Sequence, residues 1–269
     1  MRKISIAVAM FFLAMQWPSA SERPHFESHP RDGAITVDGR FDDWSGNLDP
    51  VGTTPMSMQV VNDGVFLYLR LSASDAGTRM EITRLGMTVW FDPSGGTKKK
   101  LGIRYPVVEA GTFAGGGGER GRRGRTEGES GEDSGPPRDR VDILGPGKDD
   151  ARSLMRDHLQ GVDVAFRTDQ GLLEYELKVP LARSSDYPYA IEAQPGKTIG
   201  IGFETGKLSD MMGEGRGRGF GGGGMGGGRG GGRGGGGRRG PGGGSGEGRG
   251  FQPPKPIKVW TTVTVAPAR

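Results

Sequence analysis

The chain has 269 residues, 53 of them glycine and none of them cysteine, and a formal net charge of +4. Without cysteine there are no disulfides, thiol nucleophiles, thiolate zinc sites or Cys-ligated haem, so stability has to come from packing, with bound ions as the one other source. The glycines crowd into two segments, which leaves foldable sequence for one domain of modest core, and charge outside those segments is close to balanced, which argues against a basic nucleic-acid surface on the fold.

Arg2 and Lys3 precede an apolar run over residues 4–15, followed by Pro18-Ser19-Ala20-Ser21. Residues 1–20 therefore read as a secretory signal peptide; an uncleaved anchor is the rival, but the run is well short of the about 20 residues a spanning helix needs. Export to the periplasm, the cell surface or the extracellular space follows. Residues 21–33, with His25 and His29, read as a flexible lead, and 34–37 as a short strand ending at Asp38-Gly39.

Met56, Met58 and Val60 alternate with polar residues up to Asn62-Asp63-Gly64, and Val65, Leu67, Leu69 and Leu71 alternate beyond it, which predicts a hairpin with one buried face. Met87, Val89 and Phe91 point one way and Thr88, Trp90 and Asp92 the other; residues 101–108 return as a partner strand. Further strands are expected at 162–167, 172–179, 198–205 and 257–265, with buried sets such as Leu173, Tyr175, Leu177 and Val179 or Ile199, Ile201 and Phe203. A short helix is expected over 149–160, with Leu154 and His158 on one face.

Residues 111–150 and 209–255 carry glycine mixed with charge, a composition that cannot bury enough apolar surface to offset the entropy of ordering. The two-residue period resumes after each, so both read as disordered loops interrupting one domain over 34–269. Many short strands and almost no helix predict an all-β fold, an antiparallel β-sandwich of jelly-roll-like form.

The order of motifs adds a resemblance. Ile35-Thr36-Val37-Asp38-Gly39-Arg40-Phe41-Asp42-Asp43-Trp44 is similar to the opening of family-nine carbohydrate-binding modules and their DOMON-like relatives. Val61-Asn62-Asp63-Gly64-Val65-Phe66-Leu67-Tyr68-Leu69 looks like their next hairpin, and Thr88-Val89-Trp90-Phe91-Asp92-Pro93 like their strand ending in Asp-Pro. Glu174-Tyr175-Glu176-Leu177-Lys178-Val179-Pro180-Leu181 resembles their late strand, and Val259-Trp260 a final strand bearing Trp. The resemblance covers nearly all of the chain outside residues 1–20 and the two loops. It implies a β-sandwich, often with bound calcium, and recognition of sugars by aromatic side chains. The two loops and residues 98–106 depart from the pattern, and one sandwich hosts many functions.

Trp90 lies opposite the core residues of its strand, near Tyr68 and Arg70 if their strands are neighbours. These three are the expected ligand face, because pyranose C–H faces stack on aromatic rings while hydroxyls bond to charged groups; the alternative is that Trp90 packs beneath another segment. Asp38, Asp42 and Asp43 are the oxygen donors for a calcium ion, unless they only cap turns. Trp44 reads as a plug at the sandwich end. Glu174 and Glu176 share a strand face, the arrangement of a glycosidase carboxylate pair but also of ordinary solvated charge. No catalytic motif appears, so the chain reads as a non-enzyme. Arg216, Arg218, Arg229, Arg233, Arg238, Arg239 and Arg249, spaced by glycine, form a polyanion-binding segment; in an exported protein the partner is an anionic polymer or a protein, not cytoplasmic nucleic acid.

Overall fold

The computed structural model describes residues 23–108, 138–147, 149–207 and 256–267. The expected signal segment and the seven arginines of the second Gly/Arg-rich segment lie outside the described residues.

The fold is the expected all-β sandwich. Among the described residues the strands are, in chain order, β1 His25–Glu27, β2 His29–Pro30, β3 Asp49–Pro50, β4 Met56–Asn62, β5 Phe66–Ala73, β6 Met87–Asp92, β7 Leu101–Tyr105, β8 Arg140–Leu144, β9 Ala151–Met155, β10 Asp163–Asp169, β11 Leu172–Pro180, β12 Thr198–Thr205 and β13 Lys258–Thr264, with one α-helix, α1 Ala76–Leu85, between β5 and β6. A seven-stranded sheet runs β1-β13-β12-β6-β7-β8-β9, and a six-stranded sheet runs β10-β11-β5-β4-β2 with β3 also on β4. Pairing is antiparallel except where β1 joins β13 and β2 joins β4.

The two-residue period sends every second side chain between the sheets. Leu67, Leu69 and Leu71 of β5, Leu173, Tyr175, Leu177 and Val179 of β11, Val89 and Phe91 of β6, and Ile199, Ile201 and Phe203 of β12 meet there, all buried. Each such side chain stabilises the fold by about 1.5–3 kcal/mol. Val65, expected inside, is exposed because it belongs to the β4–β5 turn, where Asp63 Oδ1 accepts the Val65 and Phe66 N–H groups at 3.0 and 2.8 Å.

Five local expectations are corrected. Residues 140–144, expected within the disordered loop over 111–150, form β8, because Val141 and Ile143 alternate into the core and the strand pairs with β7. His25 and His29 lie on β1 and β2, not in a flexible lead, because an added edge strand satisfies backbone groups on each sheet. Residues 34–37 form no strand. Residues 149–160 form β9 and a 3-10 turn, Arg156–His158, rather than an α-helix, since Leu154 pairs across from Val141 on β8. The strand expected over 101–108 stops at Tyr105, where Pro106 has no N–H to continue a ladder. Helix α1 was not anticipated: Asp75 caps it by accepting the Thr78 N–H at 2.8 Å, and Gly86 ends it at φ +76° with its N–H on the Ile82 carbonyl. Its single strongly apolar buried side chain, Ile82, gives little periodicity to read. The helix carries the chain from one sheet to the other, so β5 and β6 are not neighbours.

Candidate functional site

The expected ligand face is thereby split. Tyr68 and Arg70 stand on the outer side of the six-stranded sheet, and Trp90 on the outer side of the seven-stranded sheet. Tyr68 is 3% and Arg70 5% exposed, because residues 31–50 cross over them. Tyr68 donates its hydroxyl to Asp63 at 3.1 Å and accepts from Arg31 at 3.1 Å; burial, then Asp63, pushes its phenol up to about 12. The Arg70 guanidinium lies 5.2 Å from the Phe41 ring centre and 5.3 Å from that of Trp44, and donates to the Gly46 carbonyl at 2.8 Å.

Glu176 is the centre of this covered face. It stands directly opposite Arg70 across the β11–β5 pairing and is fully buried. One oxygen accepts the Asp38 and Gly39 N–H groups, at 3.0 and 2.6 Å, and the other accepts the Trp44 indole N–H. Burial pushes its carboxyl up to about 7, against the pull of these three donors. Gly39 is required here: its φ is +85°, and a Cβ would meet the Phe166 carbonyl carbon at 2.8 Å. The Asp38-to-Trp44 motif thus locks a loop onto a sheet. Trp44 is not a plug at the sandwich end but part of the loop that lies on this sheet, and Glu176 is not solvated charge, because that loop supplies its three N–H donors. Asp38 and Asp43 accept the N–H groups of Arg40 at 2.9 Å and Thr36 at 2.6 Å, and with Asp42 they form no metal-holding cluster among the described residues.

The outer face of the seven-stranded sheet is built differently. Pairing places Trp260, Gly202, Trp90, Gly102 and Leu144 in one row across β13, β12, β6, β7 and β8. A Cβ on Gly102 would meet Trp90 Cζ3, Cε3 and Cη2 at 2.6, 2.7 and 3.0 Å; one on Gly202 would meet Trp260 Cε2, Cδ2 and Cζ2 at 2.6, 2.7 and 2.8 Å. Three adjacent ring atoms at nearly one distance mean a ring lying face-down, since an edge-on ring would put the third atom much farther away. Neither glycine has a positive φ, so glycine serves here to make room for a flat ring. Both indoles remain partly exposed.

Polar groups border the row. Trp90 Nε1 donates to Glu204 at 3.1 Å, Glu204 also takes the Lys99 ammonium, and Lys99 Nζ sits 4.9 Å from the Trp90 ring centre. Burial tends to raise Glu204, but the hydrogen bond and charge of Lys99, with help from Trp90 and Lys258, hold it below the usual carboxylate range. Arg104 pairs with Asp142 at 3.4 Å in the same bordering row. On the other side, residues 93–98 fold back so that the Gly96 carbonyl covers Gly200. Asp92, buried, holds that turn through Ser94 and Lys98, the latter at 2.7 Å. A cleft of about 340 Å³ opens beside Trp90, bounded by Thr88, Lys99, Arg104 and Glu204. A larger cavity of about 530 Å³ lies at the opposite end of β6, where Arg183 and Glu192 pair at 3.2 Å. Tyr189 is among its lining residues.

Trp260 is the site residue that the sequence reading passed over. Its signal was the alternation Ile199-Gly200-Ile201-Gly202-Phe203, which leaves outward positions bare for a neighbour's ring, together with a Trp at an outward position of the last strand.

No protein-family model matches the chain, and no curated protein gives a significant match. Among solved structures, the chain is similar to a carbohydrate binding module family 9 from Caldicellulosiruptor kristjanssonii in complex with glucose, at 12% identity and a TM-score of 0.34, covering 68% of this chain and 78% of that one. It is likewise similar to a carbohydrate binding module family 9 from Caldicellulosiruptor kristjanssonii in complex with cellotriose, at 14% identity and a TM-score of 0.32, covering 68% of this chain and 76% of that one.

Proposed function

We propose that the protein is an exported, non-catalytic β-sandwich that binds a neutral glycan on the outer face of its seven-stranded sheet, with Trp90 as a stacking ring. The observation that carries this reading is the Trp90 ring laid flat on Gly102, with a carboxylate and an ammonium at its border. A flat aromatic face bordered by hydrogen-bonding groups suits a pyranose, whose C–H face is apolar and whose rim is hydroxylated. The two carboxylates at the border are already paired, Glu204 with Lys99 and Asp142 with Arg104, which favours a neutral ligand over a cationic one; Lys258 and Lys207 add positive charge beside them. Stacking displaces Lys99 from the ring, at a cost of about 1 kcal/mol for a surface ion pair and cation–π contact, which leaves the ammonium free to donate to sugar hydroxyls. Export rests on residues 1–20; no helix among the described residues is long and apolar enough to cross a membrane.

Affinity electrophoresis of the full chain against soluble glucans, xylans and anionic polysaccharides, at two salt concentrations, tests the reading. Retardation by a neutral glycan is expected, unaffected by salt and weakened at least tenfold in Trp90→Ala, the factor of about 1.4 kcal/mol that one stacked ring supplies. Neutral-glycan retardation unchanged in Trp90→Ala would overturn it.

A second reading is favoured by one observation: Val108 and Lys207, next to the two Gly/Arg-rich segments, both line the Trp90 cleft. In that reading the arginines from Arg216 to Arg249 engage an anionic polymer or protein partner. Retardation by anionic polymers alone, fading with salt, would transfer the function to it.

A further inference from the structure

Among the described residues the two sheets end in β1, β9, β10 and β2, and three of these edges are blunted. Strand β1 is three residues long, β2 is two and ends in Pro30, and β10 carries Asp163, Arg167 and Asp169 with Gly39 set against its Phe166–Arg167 backbone. Strand β9, Ala151-Arg152-Ser153-Leu154-Met155, is different: none of its residues is buried, it holds no proline, and its one charge, Arg152, lines the larger cavity. Its outward backbone groups follow from its pairing. The Gly145 N–H donates to the Asp150 carbonyl at 2.7 Å and the Arg156 N–H to the Asp139 carbonyl at 2.9 Å, so the even-numbered residues bond to β8, while Ala151, Ser153 and Met155 turn theirs to the open edge. The Ala151 N–H is already taken, by the Asp149 carbonyl at 3.0 Å. The edge therefore offers the Ser153 and Met155 N–H groups and the carbonyls of Ala151 and Ser153.

We propose that this edge takes a second copy of the chain, with two β9 strands paired antiparallel about a two-fold axis at Ser153 so that two seven-stranded sheets join edge to edge. The segment is complementary to itself in that register. Each Ser153 N–H meets the Ser153 carbonyl of the other copy, and each Met155 N–H meets the other copy's Ala151 carbonyl. Met155, 40% exposed, comes to lie beside the small Ala151, and the Arg152 stem beside Leu154. Asp150 falls opposite Arg156, whose present contact with Asp163 is long, at 3.4 Å. Charge fixes the register. An axis at residue 152 sets Arg152 against its own copy, and an axis at residue 154 sets Arg152 against Arg156; like charges directly opposed are unfavourable. An isologous contact of this kind closes at two copies, and an edge of five residues makes it a small, weak interface. It does not depend on the glycan reading, since Trp90 stands on β6, three strands away from β9.

The chain has no cysteine, so one introduced thiol reports its own neighbour. On the axis, residue 153 faces itself at about 5.5 Å between Cα atoms, within disulfide reach. Full-length Ser153→Cys under a mild oxidant is expected to form a covalent dimer about tenfold faster, or more, than Met80→Cys, whose site on α1 is also exposed. Cross-linking no faster than in Met80→Cys overturns the proposal. Sedimentation velocity of the full chain over a concentration series is expected to show a monomer–dimer equilibrium in the wild type. Ser153→Lys and Ser153→Glu each place like charges on the axis and are expected to raise the dissociation constant by about tenfold or more, while an equimolar mixture of the two restores the dimer. A wild type that sediments as a monomer throughout, or a dimer that both charged variants leave unchanged, overturns β9 as the contact. The thiol measurement stands apart from the charged variants, so a Ser153→Glu chain weakened by Asp142 opposite it leaves the test intact.

Discussion

The two outer faces of the sandwich carry the same kinds of outward residue, aromatic rings beside paired charges, yet they are put to different use. On the six-stranded sheet, residues 31–50 cross over Tyr68, Arg70 and Glu176 and fill every approach, so those side chains hold chain to chain. On the seven-stranded sheet the outward positions beside the rings are glycine, and among the described residues the segment folded down, residues 93–98, stops at Gly200 short of the Trp90 row. Whether an aromatic beside a charge is a binding group or a structural one is decided by what lies over it. A loop that contributes its own N–H groups to a buried carboxylate has already taken the place a ligand would need.

The largest expected effect breaks the covered face. Glu176→Ala leaves the Asp38, Gly39 and Trp44 N–H groups without an acceptor and removes the carboxylate opposite the Arg70 guanidinium. Removing one partner of a buried charged network costs about 3–5 kcal/mol. Urea denaturation should show this loss, while the folded fraction keeps its glycan retardation. A loss below 1 kcal/mol would mean the loop is held by something other than Glu176.

The same carboxyl gives the covered face a pH dependence. Its folded value, about 7, lies above the ordinary 4.5, so between these limits the folded protein keeps a proton that the unfolded chain releases. Stability from this group is therefore greatest below pH 4.5, declines as pH rises to 7, and is flat above; the whole change is about 3 kcal/mol. Burial raises Glu81 and Glu174 as well, and they slope the same way. Asp75, Asp92 and Glu204 are held low and contribute the opposite slope, but in the acid range as their folded carboxylates protonate. Urea midpoints at pH 4.5, 6 and 7.5 should fall in the wild type and fall less in Glu176→Gln, which does not titrate. Parallel profiles for the two would remove Glu176 as the cause.

Much of the sandwich was legible because a strand buried on one face must alternate, whatever lies around it: Leu67, Leu69 and Leu71 and Leu173, Tyr175, Leu177 and Val179 stand where the pattern put them. What period cannot encode is which sheet a strand joins. Tyr68 and Trp90 are 22 positions apart and both outward, but α1 sends β6 to the other sheet, and α1 itself shows one core residue, Ile82. Glu174 and Glu176 look alike in sequence; the second is buried because a glycine turn 137 positions earlier lies on it. Trp260 was overlooked for a related reason, since its neighbour across the sheet, Gly202, precedes the second Gly/Arg-rich segment and no local pattern joins them.

The smallest expected effect separates the two faces most cleanly. Tyr68→Phe deletes only a hydroxyl, the one that donates to Asp63 and accepts from Arg31. Arg31 and Asp63 still pair at 3.4 Å, and the Arg31 guanidinium still stacks 5.0 Å from the ring centre, so the phenyl ring keeps its packing. Loss of one buried hydrogen bond to charged partners costs about 1–2 kcal/mol, and urea denaturation should record that much. Glycan affinity should not move, because the hydroxyl faces residues 31 and 63 on the far side of the sandwich from Trp90 and Trp260. A Tyr68→Phe variant that kept full stability but lost glycan retardation would place the ligand on the six-stranded sheet after all, and would require residues 31–50 to leave that face when sugar binds.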